Sequence, residues 1–404
     1  MSSTHGANED AARWTATQTA GNGGAPRTGA WTVRALLAWM VPHLSEREVD
    51  SPRAVAEILL SSVLGVERLK LYMEPERELS ADELAKLRAL VTRAGRHEPV
   101  QYLVGRWPFF GRDFEVGPST LIPRPCTEVL VERALGWIRE RTAEQPEASL
   151  DVLDLCTGTG CIAISLALGM RAIRRPDGTG CRPIRAAAGT LDQAAQLHGV
   201  QKPAAVPVVR DLASEGHVRE TESALSDVVG AERETTTTTT TSATSSAAAH
   251  DLATGGATGV ATVVATDIVS DAIELARRNA ARLGAHVDLR VGDLYGALRD
   301  EEGFDLIVSN PPYVTDTEYS ELDRNVREYE PASALRGGAD GLQFVRAVVA
   351  GAERRLRSGG LLLVEIGWKH GDAVRKLGTR AGWRDVEVLR DGDGHERVLA
   401  AHRV

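Results

Sequence analysis

From Thr127 to the C-terminus, short apolar and β-branched runs alternate with segments of helical period, and this alternation restricts the fold more than any other feature of the chain. Such a rhythm dictates a parallel sheet whose strands are joined by crossover helices. The pattern predicts a helix over 127–141, a strand over 151–155, and a helix over 161–168 that follows a small, glycine-containing turn. Strands are predicted over 262–266, 287–291, 304–308 and 361–366, with helices over 270–283, 342–357 and 370–381 between and after them. Two last strands, 386–389 and 397–401, flank Asp391-Gly392-Asp393-Gly394, a turn sequence suited to a hairpin. Seven strands ending in a hairpin predict a doubly wound α/β sheet with one antiparallel strand.

Ahead of the sheet, residues 31–96 are expected to form a small helical bundle that docks a substrate. Val33, Leu36, Leu37 and Met40 recur at helical spacing up to Pro42, Ser51-Pro52 opens a second helix, and Ser80 with Glu83 forms a capping-box pattern before Leu84, Leu87 and Val91. Residues 97–126 read as a linker containing a β-hairpin near Phe109 to Val116, with a further strand near Thr120 to Ile122. Trp107, Phe109, Phe110 and Phe114 concentrate there in a chain with 4% aromatic residues, so they are expected either to anchor the linker or to bring a ring to the mouth of a site. The remainder, 127–404, is interrupted at about 170–259 by low-complexity text including the Thr235 to Thr241 run. It holds too little apolar material to order itself and is expected to be a disordered surface insertion, as residues 1–30 are expected to be a disordered tail.

Composition excludes several classes. With 43% hydrophobic and 25% charged residues the chain is of globular type, and no apolar run has the length of a membrane span. A formal net charge of -9 argues against bulk electrostatic binding of nucleic acid. The N-terminus lacks the apolar core of a signal peptide, which predicts a cytoplasmic protein. Four cysteines, none in metal-ligand spacing, predict free thiols and no metal site.

The chemistry is expected at strand ends. The strand Phe304 to Val308 runs into Asn310-Pro311-Pro312-Tyr313. Two prolines remove N–H donors and fix φ, so the backbone is held extended with carbonyls free to meet a ligand. An amide oxygen, a carbonyl and a ring on one stiff turn suit a planar –NH2 group; the plain alternative is a turn that only ends a strand. The turn Asp154-Leu155-Cys156-Thr157-Gly158-Thr159-Gly160 opens a helix whose first N–H groups are free to bind, and Asp267 and Asp293 end the next two strands. Acids at those places accept ribose hydroxyls and meet an adenine edge. Without a GxGxxG pattern a pyrophosphate cofactor fits poorly, so the ligand these residues suggest has an adenosine and an amino-acid tail, namely S-adenosyl-L-methionine.

This succession resembles the class I, Rossmann-like S-adenosylmethionine-dependent methyltransferases. More narrowly the chain resembles the PrmC/HemK family of protein-(glutamine-N5) methyltransferases that act on peptide chain release factors. The resemblance is carried by Glu98-Pro99-Val100-Gln101-Tyr102-Leu103, Leu121-Ile122-Pro123-Arg124-Pro125, Val152-Leu153-Asp154-Leu155, Asn279-Ala280, Asn310-Pro311-Pro312-Tyr313, Tyr329-Glu330-Pro331, Gly337-Gly338 with Asp340-Gly341-Leu342, and Glu365-Ile366-Gly367. It implies methylation of a glutamine side-chain amide in a Gly-Gly-Gln loop, with a release factor as partner, no direct nucleic-acid partner and a monomeric enzyme. The reaction-bearing residues it implies are Asn310, Pro311, Pro312 and Tyr313, and the cofactor residues are Asp154, Cys156, Thr157, Gly158, Thr159, Gly160, Asp267, Asp293, Leu294 and Asn310. Phe109 or Phe110 is expected to join Asn310 and Tyr313 around the substrate. Four positions depart from the family pattern: Cys126 where an acid is usual, Cys156 where the cofactor loop has its first glycine, Leu294 where an aromatic residue follows the third-strand acid, and Trp368-Lys369-His370 where a glutamine is common. The Asn-Pro-Pro-Tyr turn is shared with adenine-amino methyltransferases of DNA and RNA, the alternative activity, which the acidic balance disfavours.

Overall fold

A computed structural model describes residues 31–174 and 262–404. The expected disorder of the tail and nearly all of the insertion, with Cys181, lies outside the described residues. The chain begins with helices α1 (Val33–Ser45), α2 (Pro52–Leu64), α3 (Arg68–Met73), α4 (Ala81–Ala94) and α5 (Val100–Val104). Leu36, Met40, Leu59, Leu60 and Leu87 are fully buried among them. The expected capping box is present at α4: Ser80 Oγ accepts the Glu83 N–H at 3.3 Å, and Glu83 Oε2 accepts the Ser80 N–H at 2.8 Å. α1 continues past Pro42 instead of stopping there, because one missing N–H near a helix end costs little and Leu44 beyond it is buried in the bundle. The helix α3 was not legible from periodicity; its six residues are too few, and Leu69 and Met73 remain exposed.

The linker forms the hairpin β1 (Arg106–Phe109) and β2 (Arg112–Glu115), starting earlier than expected. Its turn has Phe110 at φ 47° and Gly111 at φ 70°, the two positive values that match the twist of a tight hairpin. Thr120 to Ile122 is not a strand. The Ile122 N–H, which a ladder would use, instead donates to Glu330 Oε2 at 3.0 Å.

Then follow α6 (Glu128–Glu144), β3 (Asp151–Leu155), α7 (Cys161–Ile173), β4 (Thr262–Asp267), α8 (Ser270–Leu283), β5 (Asp288–Val291) and β6 (Phe304–Ser309). The short helices α9 (Asp316–Glu321) and α10 (Arg324–Tyr329) precede α11 (Gln343–Arg355), β7 (Leu356–Glu365), α12 (Gly371–Arg380), β8 (Arg384–Arg390) and β9 (Glu396–His402). The seven strands form one sheet in the order β5-β4-β3-β6-β7-β9-β8. β9 alone runs antiparallel to its neighbours.

Period-two alternation divides the sheet residues between two cores. Val152, Leu306, Val308, Leu361 and Leu363 face one side with α6, α7 and α8, while Leu153, Ile307, Leu362 and Val364 face the other with α11 and α12. Both faces are covered, which is why the strands read as nearly continuous apolar runs. The order reverses at β3, which pairs with β4 on one side and β6 on the other. Ligands of such sheets bind outside the carboxyl ends of strands at this switch point.

Candidate active site

At that place lies a cavity of about 390 Å³, lined by Cys156, Thr157, Gly158 and Thr159 after β3, Asp267 and Ile268 after β4, Asp293 and Leu294 after β5, and Asn310 and Pro312 after β6. The opposite wall includes Thr120, Arg124, Thr127 and Arg336. Four loops that are distant in sequence therefore meet around one space.

The loop after β3 is supported by three residues that do not line the cavity. Asp154 is fully buried; its Oδ2 accepts the Thr157 hydroxyl at 2.6 Å and the Ala163 N–H at 3.2 Å. It braces the turn from behind and is not among the residues that line the cavity. Gly160 likewise stays off the wall. Its φ of 78° and its contact with α8, where a Cβ would come within 3.1 Å of Ala276 Cβ, explain the glycine. Asn279 on α8, also buried, donates through Nδ2 to the carbonyls of Thr159 and Glu115, each at 3.0 Å, and accepts the Glu115 N–H at 2.7 Å. It ties the cofactor loop to the hairpin.

Burial raises the Asp154 pKa to about 7, with the Thr157 and Ala163 hydrogen bonds opposing the shift. Desolvation also raises Asp267, against the pull of the Val269 and Gly158 N–H groups. Those two amides donate to Asp267 Oδ1 at 3.0 Å and Oδ2 at 2.9 Å, leaving each oxygen a further lone pair. Cys156 adopts φ 60°, the left-handed conformation a glycine takes without penalty; the thiol is accepted there at a cost of about 1–2 kcal/mol. The Leu294 carbonyl is fixed by the Thr266 hydroxyl at 3.0 Å.

The turn after β6 is held on three sides. Ser309 Oγ donates to the Leu155 carbonyl at 3.0 Å, tying the ends of β6 and β3 together. Val314 exchanges backbone hydrogen bonds with Leu335 and Gly337, at 2.8 and 2.7 Å. A Cβ at Gly337 would lie 2.7 Å from Tyr313 Cα and 2.8 Å from the Pro312 carbonyl oxygen, so only glycine permits this approach. Asn310 Nδ2 donates to Thr127 Oγ1 at 3.2 Å. Among the described residues, Asn310 Oδ1 and the Pro311 carbonyl accept no protein hydrogen bond.

Four further expected site residues are not among those that line the cavity. Tyr313 does not line the cavity; its hydroxyl donates to the buried Glu365 at 3.2 Å and its ring faces a second hollow with His370 and Trp368. Pro311 is buried between its cavity-lining neighbours. Phe109 is 1% exposed in the core against Phe114, and Phe110 packs at the margin of the same core with its N–H on Glu128 at 2.7 Å. Neither ring is among the residues that line the cavity. What sequence reasoning missed was Thr127 as the partner of Asn310, although Thr127-Glu128 belongs to the recognised Arg-Pro phrase. The Arg124 guanidinium of that phrase is paired with buried Glu330 at 2.5 Å, which fastens the opposite wall to the segment after α10.

The donor set fits a nucleoside carrying an amino-acid tail: two acids at strand ends, an apolar Ile268 beside them, and the open N-terminal turn of α7. Sheet order and cavity together define a class I methyltransferase that uses S-adenosylmethionine. Residues 35–105 match the PrmC N-terminal domain and residues 249–326 the methyltransferase small domain. The chain is 34% identical over 370 residues to the release factor glutamine methyltransferase of Geobacter sulfurreducens, covering 91% of this chain and 96% of that one, and 31% identical over 376 residues to that of Nitratidesulfovibrio vulgaris, covering 92% and 95%. It belongs to the release factor glutamine methyltransferase family. Among solved structures, the release-factor-specific protein-(glutamine-N5) methyltransferase of Alicyclobacillus acidocaldarius aligns at 22% identity over 72% of this chain and 99% of its own, with a TM-score of 0.30.

Proposed function

We propose that this protein methylates the side-chain amide nitrogen of the glutamine in the Gly-Gly-Gln loop of peptide chain release factors. The observation that carries the reading is a pair of unoccupied acceptors, Asn310 Oδ1 and the Pro311 carbonyl, on a rigid turn at the edge of the cofactor cavity. An amide nitrogen is a poor nucleophile because its lone pair is delocalised. When bound, S-adenosylmethionine supplies an electrophilic methyl group on a sulfonium. Thr157, Gly158, Thr159, Asp267, Asp293 and Leu294 would hold it. Asn310 and Pro311 accept the two amide hydrogens, turn the nitrogen toward the methyl and stabilise the positive charge that develops there. The nitrogen sheds its proton after transfer, so no strong base is required. Tyr313 stiffens the turn from behind through Glu365.

Support for the protein substrate comes from the family, from the helical bundle beside the site and from the acidic balance of the chain. The enzyme acts as a cytoplasmic monomer without a nucleic-acid partner in this reading; among the described residues no helix is long and apolar enough to cross a membrane. Asn310→Ala tests the site: turnover of a purified release factor with labelled cofactor should fall about 10²–10³-fold, the usual effect of deleting one preorganised polar contact to the reacting group. Calorimetric affinity for the cofactor should hold. Equal losses in both would reject Asn310 as the amide acceptor. For the substrate, mass spectrometry of release factors from cells lacking the protein should show the glutamine unmethylated; label transferred only to nucleic acid would overturn the assignment.

A further inference from the structure

Four charged residues line the cavity: Arg124, Asp267, Asp293 and Arg336. The two acids are taken up by the proposed cofactor contacts, and Arg124 is neutralised by buried Glu330. Arg336 has no part in the transfer described above. It lies just beyond the Asn-Pro-Pro-Tyr turn, where an isolated bridge pairs it with Val314. The Arg336 N–H donates to the Ala332 carbonyl at 2.9 Å, so its backbone is fixed along with the turn. Its side chain is held as well. Asp316 Oδ1 on α9 accepts from Arg336 Nη2 at 2.6 Å and from Nε at 3.1 Å, and the guanidinium carbon lies 5.3 Å from the centre of the Tyr319 ring. Tyr319 is fastened in turn by its hydroxyl, which donates to the Arg327 carbonyl at 3.3 Å, and α9 starts in a capping box between Thr315 and Glu318.

Stability does not account for this arrangement. The side chains of Arg336 and Asp316 are 51% and 47% exposed, and exposed ion pairs contribute little. A guanidinium carries five hydrogens; two go to Asp316, and the other three have no acceptor among the described residues. Donors whose rotamer is settled beforehand lose less entropy when a ligand arrives. Along the same wall Ala332, Ser333 and Ala334 are small, so a peptide backbone can come close. A glycine pair has no side chains to recognise and presents only its N–H groups and carbonyl oxygens. We infer that Arg336 is a specificity-determining residue that donates to main-chain carbonyl oxygens of the two glycines ahead of the substrate glutamine, holding that loop while Asn310 and Pro311 take the amide. The inference rests on the proposed Gly-Gly-Gln substrate. Charge favours a neutral acceptor over a carboxylate of the cofactor or of the partner, because Asp316 already balances the guanidinium and would repel a second anion.

The test measures KM and kcat for a purified release factor with labelled S-adenosylmethionine, in the full-length wild type, Arg336→Ala and Arg336→Lys. Losing a charge-assisted contact made alike before and during transfer should raise KM about tenfold or more in Arg336→Ala, with kcat at saturating release factor held. Cofactor affinity by calorimetry should hold too. Lysine keeps the charge without the fork that Asp316 and Tyr319 steady, so Arg336→Lys should raise KM by less. A wild-type KM in Arg336→Ala overturns the inference. A loss of cofactor affinity in place of the KM rise also overturns it, giving Arg336 to the cofactor's carboxylate. So does a wild-type KM that climbs with salt to meet that of Arg336→Ala, the mark of an acidic side chain on the release factor. Should Arg336→Ala not fold by circular dichroism, Arg336→Lys decides, a wild-type KM there rejecting the grip. A wild-type enzyme that transfers no methyl to a release factor removes the proposed function and this inference together. Methylation by the wild type with Arg336→Ala indistinguishable from it removes only the inference.

Discussion

Replacing Asn279 with alanine removes the hydrogen bonds that join the cofactor loop to the hairpin. Asn279 Nδ2 serves the Thr159 and Glu115 carbonyls at 3.0 Å, and Oδ1 serves the Glu115 N–H at 2.7 Å and Arg282 at 3.3 Å. Three of these contacts are to backbone that has no other place to turn. At about 1 kcal/mol net for each, alanine should cost about 3 kcal/mol, which is about 3–5 °C in Tm for a chain of 404 residues. Aspartate makes a sharper test. It keeps the acceptor for Glu115 N–H but sets an oxygen against two carbonyl oxygens, and Arg282 can offset its charge without supplying the missing hydrogens. Asn279→Asp should therefore unfold at lower temperature than Asn279→Ala, and both should weaken cofactor binding measured by calorimetry. The assay is thermal unfolding at pH 7 with and without S-adenosylmethionine. An aspartate variant as stable as the alanine one would refute the claim that the two donated hydrogens hold the loop.

Asp154 gives a pH prediction. Its folded pKa of about 7 lies above the unfolded value, so its contribution to stability is fully present below about pH 4 and is lost as pH rises through about 7. With about 1.4 kcal/mol per pH unit, the loss is up to about 4 kcal/mol; Asp154→Asn should flatten the fall of Tm between pH 5 and 8, and an unchanged slope would count against it. Glu330→Ala strips partners from both the Arg124 guanidinium and the Ile122 N–H, and leaving that partly buried cation and a bare buried amide unpaired should cost about 2–3 kcal/mol by urea unfolding. Gly337→Ala must push the backbone of Tyr313 and Pro312 aside, so it should lower kcat at least tenfold while cofactor affinity holds; wild-type kcat would show that the turn tolerates displacement.

Most of the sheet was legible because burial on both faces writes long apolar runs, and the strand ends were legible because Asp267, Asp293 and Asn310 follow those runs directly. The bundle's short helix at Arg68 was not legible, since six residues carry less than two turns of period. Residue types at the site also misled in a consistent way. Asp154, Tyr313, Phe109 and Phe110 have chemistry that suits a ligand, yet each faces inward, and sequence spacing cannot tell the lining of a cavity from the layer that supports it. Phe110 shows why: its place at a hairpin turn with positive φ, not its ring, decides where it points.

The departures from the family pattern make sense in that supporting layer. An acid at position 126, usual in the family, would face Glu365 at a point where the structure offers Cys126 Sγ as a donor at 3.8 Å. A second carboxylate there would share a proton with Glu365 or repel it. The neutral thiol instead donates, alongside Tyr313 and opposed to no charge, and leaves Arg397 as the compensating cation. Cys126→Asp should therefore lower Tm, and lower it more at pH 8 than at pH 5, whereas Cys126→Ser, which keeps a neutral donor toward Glu365, should unfold close to the wild type. An aspartate variant as stable as the wild type at both pH values would refute the reading of Cys126 as a neutral donor beside that carboxylate.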